Sequence, residues 1–146
     1  WLHVGGSASE VAQLALETGA QLDRSQFEIL PFVPNSEIIG ILKAKPGAVF
    51  INVSSSEGVP VSIMEAMASG LAIIATDVGS TKSIVLEPAN LLLPGQGSLT
   101  EWSELVSGWL RATNLGDTAL KNARFAAEKF DHIRNYEALV KHVIHG

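Results

Sequence analysis

Apolar residues in this chain come in short runs, each closed by glycine, proline or serine, and the runs alternate between strand-like and helix-like spacing. Residues 2–4 read as a strand ending at Gly5-Gly6-Ser7, and residues 9–19 as a helix on which Val11, Leu14, Ala15 and, less regularly, Leu16 recur at helical spacing. Residues 27–30 form a second short strand. Pro31 and Pro34 punctuate the turn after it, and Asn35 caps a helix from Ser36 to about Ala44. After the Pro46-Gly47 turn, residues 48–53 look like a buried third strand. Pro60 suits the first turn of the next helix, where its missing N–H leaves no bond unmade, and Gly70 ends that helix. Residues 71–76 are almost continuously apolar, as in strands covered on both faces, and residues 91–93 make a fifth strand. From about residue 99 the spacing is helical, with one stripe of Trp102, Leu105, Val106, Trp109 and Leu110 and another of Tyr136, Leu139, Val140 and Val143.

Strands alternating with helices at short spacing imply a parallel sheet with right-handed crossovers. The expected fold is therefore α/β: one Rossmann-like domain over residues 1–146, with an open parallel sheet, helices on both faces and C-terminal helices from about 99. Ligands of such sheets bind beyond the carboxyl ends of the strands. Residues 5–7, 31–35, 54–59 and 77–81 all fall at that edge.

The chain has 146 residues, 47% of them hydrophobic and 17% charged, enough for one domain with a real core. Ten Lys and Arg stand against fifteen acids, for a net charge of -5, and this balance argues against a nucleic-acid binder. The absence of Cys excludes disulfides and thiolate metal sites and fits a reducing compartment, so a cytoplasmic location is expected, with peripheral contact at the inner membrane face left open. No apolar run approaches the roughly 20 residues that span a bilayer, and the opening residues lack the basic and long apolar regions of a signal peptide. The chain starts without Met, as a fragment would.

The stretch SSSEGVPVSIMEA, residues 54–66, carries the most chemistry. At about 100° per residue, Ser62, Glu65 and Ser69 form a narrow polar stripe. Val61, Ile63, Met64, Ala66, Met67 and Ala68 fill the remainder, so most of this helix should be buried. Its N-terminus, residues 58–62, offers unpaired N–H groups and a positive dipole end, which favour a phosphate, and Gly58 lets a ligand come close to the backbone. Glu57 precedes the helix. Glu65 lies in its second turn with Cβ tilted toward the N-terminus, and its carboxylate can accept two bonds from a vicinal diol such as a ribose. On spacing alone, a ligand-binding pair and two solvated charges are equal readings.

The longer stretch SSSEGVPVSIMEAMASGLAIIATDVGS closely resembles the donor-binding motif of retaining glycosyltransferases of family 4, two-domain enzymes of GT-B architecture. In that family a Glu, seven residues and a second Glu define the nucleotide-sugar site, and Glu57 and Glu65 stand at that spacing. WLHVGG resembles the family's strand and Gly-rich turn, ILPFVPNSEI its loop beside the base, and NYEALV its closing helix. The resemblance implies that Glu57 and Glu65 are the catalytic-site pair, Glu57 holding the transferred sugar and Glu65 the ribose. Gly58, Val59, Pro60 and Val61 would meet the sugar and pyrophosphate, through the N–H groups that all of them but Pro60 carry, Gly5 and Gly6 would approach the phosphates, and Phe32 and Val33 would contact the base. The donor would be a UDP- or GDP-sugar, with no cofactor and no metal, and the product a polysaccharide of a bacterial surface.

The resemblance also implies what is missing. The family's C-terminal domain begins one strand and helix earlier, with cationic Gly-Arg and Lys-Gly segments, and pairs with an N-terminal acceptor domain. The chain is thus expected to be the C-terminal half of a GT-B fold, incomplete at its N-terminus and inactive alone. Ser7 and Ser80 stand where the family has Gly, Ala72 where it has Pro, and Ser83 where it has Glu; Lys82 beside Ser83 can meet a phosphate or solvent. His142 and His145 lack a third metal ligand, and His3 reads as a packed strand residue. The stripe Tyr136, Leu139, Val140 and Val143 predicts a homodimer face through the C-terminal helices. The alternative reading is a non-catalytic nucleotide-binding or assembly module derived from such an enzyme.

Overall fold

The structure, a computed structural model, describes residues 2–19, 23, 27–131 and 135. It divides into two compact units, Trp1–Ile41 and Leu42–Gly146.

The first unit contains β1 (Leu2–Val4), α1 (Ala8–Gly19), β2 (Glu28–Leu30) and most of α2 (Asn35–Lys43), which runs across the boundary. Strands β1 and β2 pair in parallel with His3 opposite Ile29. A capping box starts α1 one residue earlier than the apolar spacing suggests. The Ser7 N–H and hydroxyl donate to the Glu10 carboxylate at 2.7 and 2.8 Å, and the Glu10 N–H donates back to Ser7 Oγ at 3.4 Å.

The second unit contains β3 (Val49–Asn52), α3 (Val61–Ala68), β4 (Ala72–Thr76), a short α4 (Thr81–Ile84) that the sequence did not announce, β5 (Leu91–Leu93), α5 (Leu99–Ala112) and α6 (Leu115–Lys129). Its strands run parallel in the order β3-β4-β5, with Ile51 opposite Ile74 and Ile74 opposite Leu91. Among the described residues the strands therefore make two parallel sheets, one in each unit, where a single open sheet was expected. The alternation of parallel strands and helices is otherwise the α/β arrangement anticipated.

Every residue of β4 is buried, as its unbroken apolar run requires. Helices α3 and α6 pack on β4 and on each other, so that Ile63, Ala66, Met67, Ile73, Ala75 and Ala126 close one core. Gly70, at φ +76°, turns the chain from α3 into β4, and the Leu71 N–H donates back to Ala66 O at 3.0 Å. Helix α6 is capped by Asn114, whose Oδ1 accepts from the Gly116 and Asp117 N–H groups at 3.1 and 3.3 Å.

Three expectations change. Residues 48–53 are not a buried strand: Ile51 is 53% exposed and Val53 is also exposed, while Val49, Phe50 and Asn52 are half-buried. On α3, Ile63, Ala66 and Met67 are buried, but Val61 and Ala68 face outward, so the apolar face is narrower than expected. On α5 no residue is fully buried; Trp102, Val106 and Trp109 are half-buried, while Leu105 and Leu110 are exposed. The stripe of Tyr136, Leu139, Val140 and Val143, with His142 and His145, lies outside the described residues. No helix among the described residues is long and apolar enough to cross a membrane.

Candidate functional site

At the carboxyl edge of the second unit, β3 ends at Asn52 and β4 at Thr76, and side chains from these two ends shape the loop that follows β3. Asn52 Oδ1 accepts the Ser54 N–H at 3.1 Å, an Asx-type turn, while Asn52 Nδ2 donates to Glu57 Oε1 at 3.1 Å. One acceptor and one donor are both in use, which fixes the orientation of the amide. The buried Thr76 hydroxyl donates to the Ser54 carbonyl at 2.6 Å.

The loop after β4 lies directly against this one. The Ser80 N–H donates to Gly58 O at 3.1 Å, and Gly79, at φ +55°, sits so close that a Cβ there would overlap the Glu57 carbonyl. Gly79 is thus required twice over, by its backbone conformation and by space. The half-buried Glu57 carboxyl is held below its ordinary pKa by the Ser54 side chain first and Asn52 second, both bonding to the charged form. It is an anchored anion at neutral pH.

Helix α3 begins just beyond. Its N-cap is Pro60, which has no side chain to cap it, and no acid occupies its first turn. The Ile63 and Met64 N–H groups both bond to Pro60 O, and the Val61 and Ser62 N–H groups come before them. Gly58, Val59, Val61 and Ser62 are exposed around this end, with Val61 at 58%, whereas Pro60 is buried. This helix start suits an anion. Glu65 is half-buried one turn further on, in a helix anchored by Ile63, Ala66 and Met67.

The first unit holds the other candidates at the carboxyl edge of its own sheet. Gly5 and Gly6 follow β1 at φ +124° and +91°, conformations that favour glycine, and the Gly5 N–H donates to Leu30 O at 3.0 Å. Phe32 follows β2 and is 76% exposed; Val33 is half-buried. The candidates therefore fall into two groups: Gly5, Gly6, Phe32 and Val33 in one unit, and Glu57 to Val61 with Glu65 in the other.

Sequence reading missed Asn52, Ser54, Thr76 and Gly79 as the residues that set Glu57. An Asn closing an apolar strand two residues before a Ser was the available signal. It also read Ser7 as a lost glycine, although Ser7-Ala8-Ser9-Glu10 has capping-box spacing. Ser83 and Lys82 are exposed, and the Ser83 hydroxyl donates to Ser80 O at 2.7 Å. No group of three or more His, Asp or Glu side chains able to hold a metal ion occurs among the described residues.

A parallel α/β fold with loops gathered at the carboxyl edge of its strands defines a Rossmann-like protein of the kind found in GT-B glycosyltransferases. Residues 1–125 match the model of the glycosyl transferases group 1 family, and the chain belongs to that family. No curated protein matches the sequence.

Among solved structures, TarM is similar at 17% identity and a TM-score of 0.69, over 96% of this chain and 28% of TarM. The pneumococcal O-GlcNAc transferase GtfA, solved in complex with UDP and GlcNAc, is similar at 18% identity and a TM-score of 0.68, over 99% of this chain and 29% of GtfA. The C-terminal domain of the glycosyl transferase group 1 family protein LpcC from Francisella tularensis is similar at 21% identity and a TM-score of 0.59, over 85% of this chain and 62% of that one. At these identities the likeness is one of fold. The chain spans less than a third of TarM and of GtfA.

Proposed function

We propose that this chain is the donor-binding part of a retaining glycosyltransferase of family 4, taking a UDP- or GDP-sugar for synthesis of a bacterial surface polysaccharide. The observation that carries the reading is the anchored Glu57 carboxylate placed just before the uncapped, acid-free N-terminus of α3, on which Glu65 is half-buried. Similarity to LpcC's C-terminal domain, and to GtfA in complex with UDP and GlcNAc, supports it.

In this reading Glu65 accepts the ribose hydroxyls and Glu57 the hydroxyls of the sugar. The N–H groups of Gly58, Val59, Val61 and Ser62 face the pyrophosphate. During transfer the bond from the anomeric carbon to the phosphate oxygen breaks, the nucleotide diphosphate leaves with that electron pair and takes up the proton of the acceptor hydroxyl whose oxygen forms the new bond to that carbon, and the helix start stabilises the growing charge. Gly5 and Gly6 approach the phosphates and Phe32 and Val33 the base. The acceptor site belongs to a domain outside this chain, and the enzyme works in the cytoplasm without a metal.

Calorimetric titration with UDP, GDP and ADP tests the reading. Saturable binding of one nucleotide, lost in Glu65→Gln, supports it; binding unchanged by that substitution overturns it. One observation favours the non-catalytic module instead. Where the family resemblance expects a Glu, Ser83 turns its hydroxyl onto its own helix and offers no carboxylate. Nucleotide binding without glycosyl transfer, once the chain is joined to an acceptor domain, would decide for the module.

A further inference from the structure

We infer that Asn52 is a positioning residue for the sugar-binding carboxylate, its side-chain amide holding Glu57 in the orientation that receives the donor's sugar. This rests on the reading above, in which Glu57 meets the sugar and Glu65 the nucleotide.

The case is geometric. Glu57 sits in a loop rather than on a helix or strand, and a free Glu side chain there would populate many rotamers. Three attachments limit that freedom, one of them the Ser54 side chain on the carboxylate itself. Thr76, buried at the end of β4, holds the Ser54 carbonyl at 2.6 Å, and Asn52, at the end of β3, holds the carboxylate head itself at 3.1 Å. Asn52 serves both levels, because its Oδ1 takes the Ser54 N–H at 3.1 Å while its Nδ2 takes Glu57. The Asn52 amide and the Ser54 side chain both bond the carboxylate, leaving its remaining lone pairs to accept from sugar hydroxyls. Helix α3, which carries Glu65, is held by its own packing and makes no use of Asn52 in this arrangement.

The two functions of Asn52 can be separated by one isosteric change. Asn52→Asp keeps an oxygen for the Ser54 N–H, so the loop bond survives. It replaces the donor facing Glu57 by a second anion, so the positioning bond is lost and the carboxylates repel. Asn52→Ala, read in parallel, removes the donor without adding charge and covers the case in which the Asp variant does not fold.

The experiment measures the affinities of wild-type and variant chains for UDP and UDP-GlcNAc, and for GDP and GDP-mannose, and follows the Glu57 carboxyl by carbon-detected NMR titration. The expected result has three parts. Nucleotide affinity stays within about twofold, the extra affinity conferred by the sugar falls by about tenfold, as for loss of one hydrogen bond to a charged group, and Glu57 titrates at higher pH in Asn52→Asp. A Glu57 titration identical to wild type overturns the inference, because the amide is then not in contact with the carboxylate. A shifted titration with the sugar's contribution intact also overturns it, leaving Asn52 as a loop residue only. Failure of the wild-type chain to bind any of the four ligands is a different result: it removes the donor-site reading, and this inference goes with it.

Discussion

The side-chain amides of Asn90 and Asn122 bond each other in both directions, Nδ2 of each donating to Oδ1 of the other at 2.8 Å. Asn122 also donates to Leu71 O at 2.7 Å, while Asn90 accepts from the Ile73 N–H at 2.9 Å and donates to Leu86 O at 2.9 Å. The pair ties α6 to the amino end of β4 and to the loop before β5, at the edge of the sheet away from Glu57. With Asn122 fully buried, Asn122→Leu leaves the Leu71 carbonyl without this donor. We expect a loss of about 2–3 kcal/mol in urea unfolding, with nucleotide affinity unchanged in the folded fraction.

The two glutamates should fail in different ways. Glu65→Gln should weaken UDP or GDP binding by at least about tenfold, since a carboxylate accepting from a diol makes charge-assisted bonds. Glu57→Gln should leave the bare nucleotide nearly unaffected and reduce the gain from the attached sugar. Calorimetry with nucleotide and nucleotide sugar separates the two patterns; the same loss in both variants would contradict the assignment of roles.

Gly79→Ala tests the contact between the two loops. The left-handed backbone alone disfavours alanine by about 1–2 kcal/mol, and the added methyl would displace the Glu57 carbonyl. Thermal unfolding should shift by that amount or more, and amide resonances of residues 54–59 should move. A variant as stable as wild type with an unchanged spectrum would show that the loops do not press on each other.

The capping box of α5 supplies a pH dependence of known sign. Ser98 Oγ accepts the Glu101 N–H at 3.2 Å, and the Ser98 N–H and hydroxyl donate to the Glu101 carboxylate at 2.8 and 2.9 Å, which hold its pKa below the ordinary carboxylate value. A depressed carboxyl pKa gives stability that is complete above the unfolded-state value and disappears as pH falls through the folded-state value. Glu10 at α1 and Glu57 act in the same direction. Stability should therefore fall on the acid side of about pH 4.5, the ordinary value. Ser98→Ala should remove about 1 kcal/mol at neutral pH and flatten the acid limb in melts across pH 3–7.

The α/β alternation was legible because β4 and α3 each carry an uninterrupted signal: five apolar or small residues in a row for one, and a Pro start with a Gly stop for the other. The start of α1 was read one residue late, because its capping box lies outside the apolar periodicity, whereas α5 begins at Leu99, as its spacing indicated. The buried stripe of α6 escaped notice for a related reason. Thr118, Asn122 and Ala126 have helical spacing, but two of the three are polar, and their burial depends on partners in distant segments. The same holds at the site. Glu57 and Glu65 could be picked out from their spacing, whereas the roles of Asn52 and Thr76 come from bonds that only the folded loop creates.

Glu57 is held by bonds to the ends of two strands, and Glu65 by a helix locked into the core. These supports share no side chain. Substitutions in residues 53–59 can therefore reshape what the loop accepts without disturbing the packing under α3. The loop can change its shape while the helix beside it keeps its seat in the core.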